Sequence, residues 1–134
     1  MEDSIFTRII QGEIPCHKVY EDAQTFAFLD IHPIQPGHVL VVPKAQVGFV
    51  WDLPAPEYAA LMKTVQKVGR RIREVTGAPY VGEQIMGTDV PHAHVHVFPF
   101  AKATEFRNVP DGITEPDHSA LATMAEKLRM EDEL

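Results

Sequence analysis

The chain has 134 residues, 45% of them hydrophobic and 23% charged, and carries a formal charge of −7. That length suits one domain with a real core, and the acidic balance argues against a nucleic-acid polymer as main partner, since phosphate backbones need a basic surface. A single cysteine rules out an internal disulfide and fits a reducing compartment, and no apolar run approaches the roughly 20 residues that span a bilayer.

The opening Met1-Glu2-Asp3-Ser4 is acidic and lacks the basic-then-apolar pattern of a signal peptide, so a cytoplasmic protein is expected. Ile5, Phe6, Ile9 and Ile10 recur at helical spacing and predict a short helix over 4–11, capped by Asp3 and stopped by Gly12. Ile14-Pro15 breaks into an extended segment over 16–20. Glu21-Asp22-Ala23-Gln24 then reads as a hairpin turn into a strand over 25–30. Two prolines and a glycine make 31–37 a loop, and His38-Val39-Leu40-Val41-Val42-Pro43 is a short apolar strand expected near the centre of a sheet.

Pro54 and Pro56 sit where a helix can start. From there Tyr58, Leu61, Met62, Val65, Val68, Ile72 and Val75 hold a helical period up to Gly77. A strand over 80–86, a loop over 87–91 and a strand over 92–98 follow. In the tail, 107–112 reads as irregular, Pro116 begins a helix with Leu121, Met124, Ala125 and Leu128 on one side, and 131–134 is expected to fray. The sum is an α+β protein: a mostly antiparallel five-stranded sheet, one long helix, a short N-terminal helix and a helical C-terminal tail. One domain is expected over 1–134, with a core of about 3–100 and an extension over 101–134.

Three of the seven histidines fall in Pro91-His92-Ala93-His94-Val95-His96-Val97-Phe98-Pro99. Side chains alternate along a strand, so His92, His94 and His96 share one face while Ala93, Val95 and Val97 point into the other. Two chemistries fit such a row. Neighbouring imidazoles could chelate a metal, with His38 as an outside ligand. All three could not do so without a sharp bend, because the backbones of His92 and His96 lie roughly 13 Å apart and zinc bonds nitrogen at about 2.0–2.1 Å. Alternatively, a neutral imidazole attacks phosphorus while its neighbours donate to phosphate oxygen and fix its tautomer. A solvated row without function is the third option, disfavoured because β-formers stabilise a strand face better.

The His92-Ala93-His94-Val95-His96-Val97-Phe98 segment resembles the signature of the histidine triad (HIT) superfamily of nucleotide hydrolases and transferases. Asp3-Ser4-Ile5-Phe6-Thr7-Arg8-Ile9-Ile10, Gly12-Glu13-Ile14-Pro15, Val19-Tyr20-Glu21-Asp22, Phe26-Ala27-Phe28-Leu29-Asp30-Ile31 and Pro36-Gly37-His38 are similar, in order, to its purine nucleoside phosphoramidase branch. The resemblance covers about 3–100. It implies a small purine nucleotide as substrate and His94 as the nucleophile that attacks the α-phosphorus. His96 would bind the phosphate oxygen, and His92 with His38 would form the relay that orients His94. It further implies Asp30 on the ribose, Ile31, Phe6 and Ile9 as walls of the base pocket (Phe28 being more a core residue), no cofactor, no membrane and a homodimer. A dinucleoside polyphosphate hydrolase and a regulatory nucleotide-binding protein with an idle triad are the alternatives.

Two departures stand out. In close relatives the approach to the triad carries an asparagine, a glycine and then Ala-Gly-Gln; here Val81, Glu83 and Met86-Gly87-Thr88 occupy those positions. Gly87 is retained, the Thr88 hydroxyl can donate to phosphate, and Asp89, a repulsive neighbour for phosphate, is expected to shape the loop. Some bacterial relatives hold a structural zinc through two cysteines, a histidine after a Pro-Lys turn and the first triad histidine. Ser4, Thr7 and Gln46 replace three of those ligands and leave His92 alone, so no metal is expected. Cys16 reads as a small packed residue, and His17, His32 and His118 as surface or turn histidines.

Overall fold

The computed structural model describes residues 2–134. Helix α1 (Ile5–Ile10) is capped by Ser4, whose hydroxyl accepts from the Thr7 amide at 3.0 Å. The cap is therefore Ser4 and not Asp3: either type can cap, and Ser4 is the one whose side chain turns back onto the first turn. Strands β1 (Lys18–Glu21) and β2 (Thr25–Leu29) form the expected hairpin. Its turn is closed by Asp22, whose Oδ1 accepts from the amides of Gln24 at 2.9 Å and Thr25 at 2.7 Å.

Strand β3 (Val39–Pro43) is the middle strand of a five-stranded antiparallel sheet, ordered β1-β2-β3-β5-β4 with β4 (Tyr80–Gln84) and β5 (Val95–Phe100). Every residue of β2 and β3 is buried. Their apolar runs are continuous because both faces of the sheet are covered there. On one face Ala27, Leu29, Val39, Val41, Val95 and Val97 pack against Leu61, Val65, Val68 and Ile72 of the long helix α2 (Ala55–Thr76). On the other, Phe26, Phe28, Leu40 and Val42 pack with Phe6 of α1. Gly77 ends α2 in the left-handed region, at φ +67°.

The histidine strand starts three residues later than its pattern predicts, at Val95. Leu40 pairs with His96 and Val41 with Val95, and the ladder stops there. Its next rung would need an amide from Pro43, which has none. The Ala93 amide turns instead to the Val47 carbonyl at 2.7 Å. The alternation survives: Ala93, Val95 and Val97 enter the α2 core, while His92 and His94 lie edge-on to Phe6 on the opposite side.

The tail departs from expectation twice. A short helix α3 (Ala103–Phe106), unforeseen, seats Phe106 against Phe98 and Phe100, while α4 (His118–Leu128) begins behind an Asp117 cap. The last residues do not fray. The amides of Met130 and Glu133 donate to the carbonyls of Val19 and Glu21, each at 2.9 Å, and Asp132 pairs with Lys18 at 2.8 Å. Without them the outer edge of β1 would present unpaired carbonyls. Among the described residues no helix is long and apolar enough to cross a membrane.

Candidate active site

Four imidazoles converge where β3 and β5 meet the loops that precede them, and their partners fix each tautomer. His92 is fully buried; its Nε2 lies 2.7 Å from the Pro43 carbonyl, which can only accept. The proton therefore sits on Nε2, and Nδ1 accepts from the Ser4 hydroxyl at 2.7 Å. His94 Nδ1 lies 2.7 Å from the carbonyl of His92, so it carries the proton and donates. The His94 Nε2 is left with a free lone pair.

His38 closes the set from the other side. Its Nδ1 accepts from the Ile34 amide at 3.0 Å, placing its proton on Nε2, which donates to His96 Nδ1 at 2.9 Å. His96 must then carry its own proton on Nε2. Burial pushes the His38 pKa down to about 3, helped by the neighbouring His96, and that of His96 down to about 4, helped by His94. Burial lowers His92 as well. These three rings are neutral near pH 7, and the 3.7 Å approach of His38 to Asp30 is no ion pair there.

A cavity of about 270 Å³ opens beside His94 and His96. Phe6, Ile9 and Ile31 line it, together with Phe28, which the sequence reads as a core residue, and with Asp30 and Asp89. Cys16 lines it too; burial raises its pKa, so it is a thiol and not a thiolate. Asp30 takes the His32 amide on Oδ1 at 2.8 Å, and burial raises its pKa. Gly87 and Thr88 line no part of this cavity; the Thr88 hydroxyl donates to Asp89 at 3.3 Å. The Ser4 hydroxyl, the Pro43 carbonyl and the Ile34 amide are roles that sequence inspection misses, because each acts across a long stretch of chain or through backbone.

Neither candidate for a metal fits. Asp30, His38 and His96 offer ligand atoms within 4.8 Å of one another, but the Ile34 amide keeps the His38 proton on Nε2, the atom that would have to bind. Ser4, Thr7, Gln46 and His92 also converge. There the Thr7 hydroxyl donates to Gln46 Oε1 at 2.7 Å and the Ser4 amide to the same oxygen at 2.8 Å. Neutral oxygens without a thiolate or carboxylate suit zinc poorly, and they satisfy one another by hydrogen bonds. His17 and His118 pair at the surface at 3.0 Å, far along the chain from the triad.

The HIT domain family matches residues 11–103. An uncharacterized HIT-like protein of Borreliella burgdorferi is 34% identical over 113 residues, covering 79% of this chain and 81% of its own. An adenosine 5'-monophosphoramidase of Candida albicans is 30% identical over 136 residues, covering 95% and 90%. Among solved structures, a Hit-like protein from Bartonella henselae superposes with a TM-score of 0.79 at 30% identity, over 95% of each chain.

Proposed function

The chain belongs to the HIT domain family, and on that basis we propose that it is a nucleotide hydrolase cleaving the α-phosphate bond of purine nucleoside phosphoramidates through a nucleotidyl intermediate on His94. One observation carries the assignment: His94 Nδ1 donates to the His92 carbonyl, which leaves Nε2 as the ring nitrogen available for attack beside the cavity that His94 lines. That nitrogen forms a bond to phosphorus as the P–N bond to the amine breaks. The departing nitrogen takes up one proton from cavity water, and the water that later opens the adduct returns one.

Each neighbour has a role in this scheme. The Nε2–H of His96 donates to the phosphate oxygen that gathers charge, and His38, fixed by Ile34, holds His96 in that tautomer. His92 presents the carbonyl that orients His94. The apolar 270 Å³ cavity suits a planar base between Phe6, Ile9 and Ile31, with Asp30 accepting from ribose hydroxyls. Asp89 shapes the rim. Gly87 and Thr88 serve the nucleotide only through that loop. The Candida albicans relative is named an adenosine 5'-monophosphoramidase, which supports phosphoramidates as the substrate class. A second copy of the chain is the expected partner, in keeping with Phe49, Trp51 and Tyr80 lying exposed.

Intact mass after brief mixing with adenosine 5'-phosphoramidate tests the scheme. An adduct of one AMP localised to His94 is expected, and His94→Ala should lower turnover by at least about a thousandfold. Release of AMP by His94→Ala at the unaltered rate would overturn it.

A further inference from the structure

Two histidines outside the catalytic set face each other on the surface. His17 Nε2 lies 3.0 Å from Nδ1 of His118, 101 residues further along the chain. The ring centroids are 5.3 Å apart and the planes are inclined by 31°. Each ring is carried by fixed backbone. The His17 carbonyl accepts from the Leu29 amide at 3.0 Å, which ties the approach to β1 onto β2. His118 is the first residue of α4, whose Asp117 cap accepts from the Ala120 amide at 3.0 Å and whose Leu121, Ala125 and Leu128 are buried.

That spacing matches the bite of one metal ion. Burial and the neighbouring His118 lower the pKa of His17, so its ring is neutral near pH 7. One facing nitrogen carries the shared proton and the other a lone pair. An arriving ion takes the place of that proton, which moves through water to the far nitrogen of its own ring, and the number of protons on the pair is unchanged. Two metal–nitrogen bonds of about 2.0–2.1 Å span about 2.9 Å at a right angle and about 3.4 Å at the tetrahedral angle. The 3.0 Å pair fits the right angle, which is the preference of Cu(II) and not of zinc. Cu(II) also stands highest among the divalent first-row ions in affinity for nitrogen ligands.

We propose that His17 and His118 form a surface site for one Cu(II) ion, with water in its remaining positions, and that the ion clamps α4 of the C-terminal extension onto the start of β1. The site shares no residue with the catalytic imidazoles and is independent of the proposed hydrolysis. Its surroundings accept the charge. Lys18, the cation next to His17 in sequence, is held by Glu21 at 2.6 Å and by Asp132 at 2.8 Å. The Asp117 carboxylate adjoins His118 at the positive end of α4, and the whole chain carries −7.

Copper(II) chloride alone is the probe, added to the full chain near pH 7 at one equivalent. Electron paramagnetic resonance should give a tetragonal spectrum split by two nitrogens. His17→Gln and His118→Gln change a half-buried and an exposed ring and should fold. Each is expected to raise the dissociation constant for copper, read by competition with glycine, at least about tenfold. His38→Gln, in the other imidazole cluster, should leave it unchanged. With copper at roughly ten times its dissociation constant, the thermal midpoint of the unaltered chain should rise by about 3 °C or more, and neither surface variant should show the rise. Binding that survives in both surface variants, binding lost in His38→Gln, or a spectrum with one nitrogen or none would each overturn the site. A midpoint unmoved by copper, with the two-nitrogen spectrum present, would overturn the clamp.

Discussion

Ser4 and His92, 88 residues apart in sequence, meet across 2.7 Å, with the hydroxyl donating to the Nδ1 of a fully buried ring. The same oxygen caps α1 by accepting from the Thr7 amide. One atom thus joins the start of the chain to the segment that orients the nucleophile. Ser4→Ala removes a helix cap, costing about 1 kcal/mol, and strands a buried nitrogen, costing about 1–3 kcal/mol. Urea unfolding should show a loss on the order of 2 kcal/mol, and turnover should fall with it as His92, whose carbonyl orients His94, loses one of its two anchors. Ser4→Thr retains donor and cap and should restore most of both. If Ser4→Ala unfolds at the unaltered midpoint, the bond contributes nothing.

His38 acts at one remove from the phosphate. Replacing it by alanine leaves His96 Nδ1 without its donor and frees His96 to adopt the other tautomer. The expected result is a fall in kcat of roughly tenfold or more, with KM altered less, since charge on phosphate oxygen gathers in the transition state. His38→Gln, whose amide can still donate toward His96, should recover part of the loss. Equal kcat for the alanine variant and the unaltered protein would remove His38 from the relay.

Much of this architecture was legible because it follows local periods. The 3.6-residue stripe from Leu61 to Ile72 marks α2, and alternation alone sends Ala93, Val95 and Val97 to the core and the histidines to the other face. The Asp22 turn declares itself by residue type. What escaped is tertiary. Where β5 begins depends on a missing amide at Pro43, about fifty residues earlier. The order of the C-terminus depends on carbonyls of Val19 and Glu21 at the opposite end of the chain. Residues 107–110 lie in a stretch whose composition reads as irregular, and the contacts of Phe106 just before them set where it runs.

Gly82 is held to glycine by space and not by backbone angle. A Cβ there would meet Phe106 Cε2 at 2.6 Å and Phe100 Cε1 at 3.0 Å, both on rings packed into the sheet edge. Gly82→Ala should unseat α3 and destabilise the protein by about 1–3 kcal/mol. Limited proteolysis should show faster cutting within 101–117 than in the unaltered chain. Unchanged cutting there would mean that Phe106 finds an equivalent seat.

The acid side of the stability profile should carry the mark of the buried imidazoles. In the unfolded chain histidine takes its proton near pH 6.5, whereas burial lowers His38 to about 3 and His96 to about 4. Between those values the unfolded state binds more protons, so stability is complete above about pH 6.5 and declines as pH falls toward 4, on the order of 1 kcal/mol per pH unit for each ring. The carboxylates of Glu21, Asp22 and Asp132, held low by their cation and amide partners, add their own loss only further into acid. Urea midpoints at pH 7, 6 and 5 separate the two windows. The midpoint should drop steadily over that range, and His38→Gln should flatten the slope by one group's share. A midpoint constant from pH 7 to 5 would mean that the rings accept protons in the folded state, and the neutral tautomer chain from Ile34 to His96 would not hold.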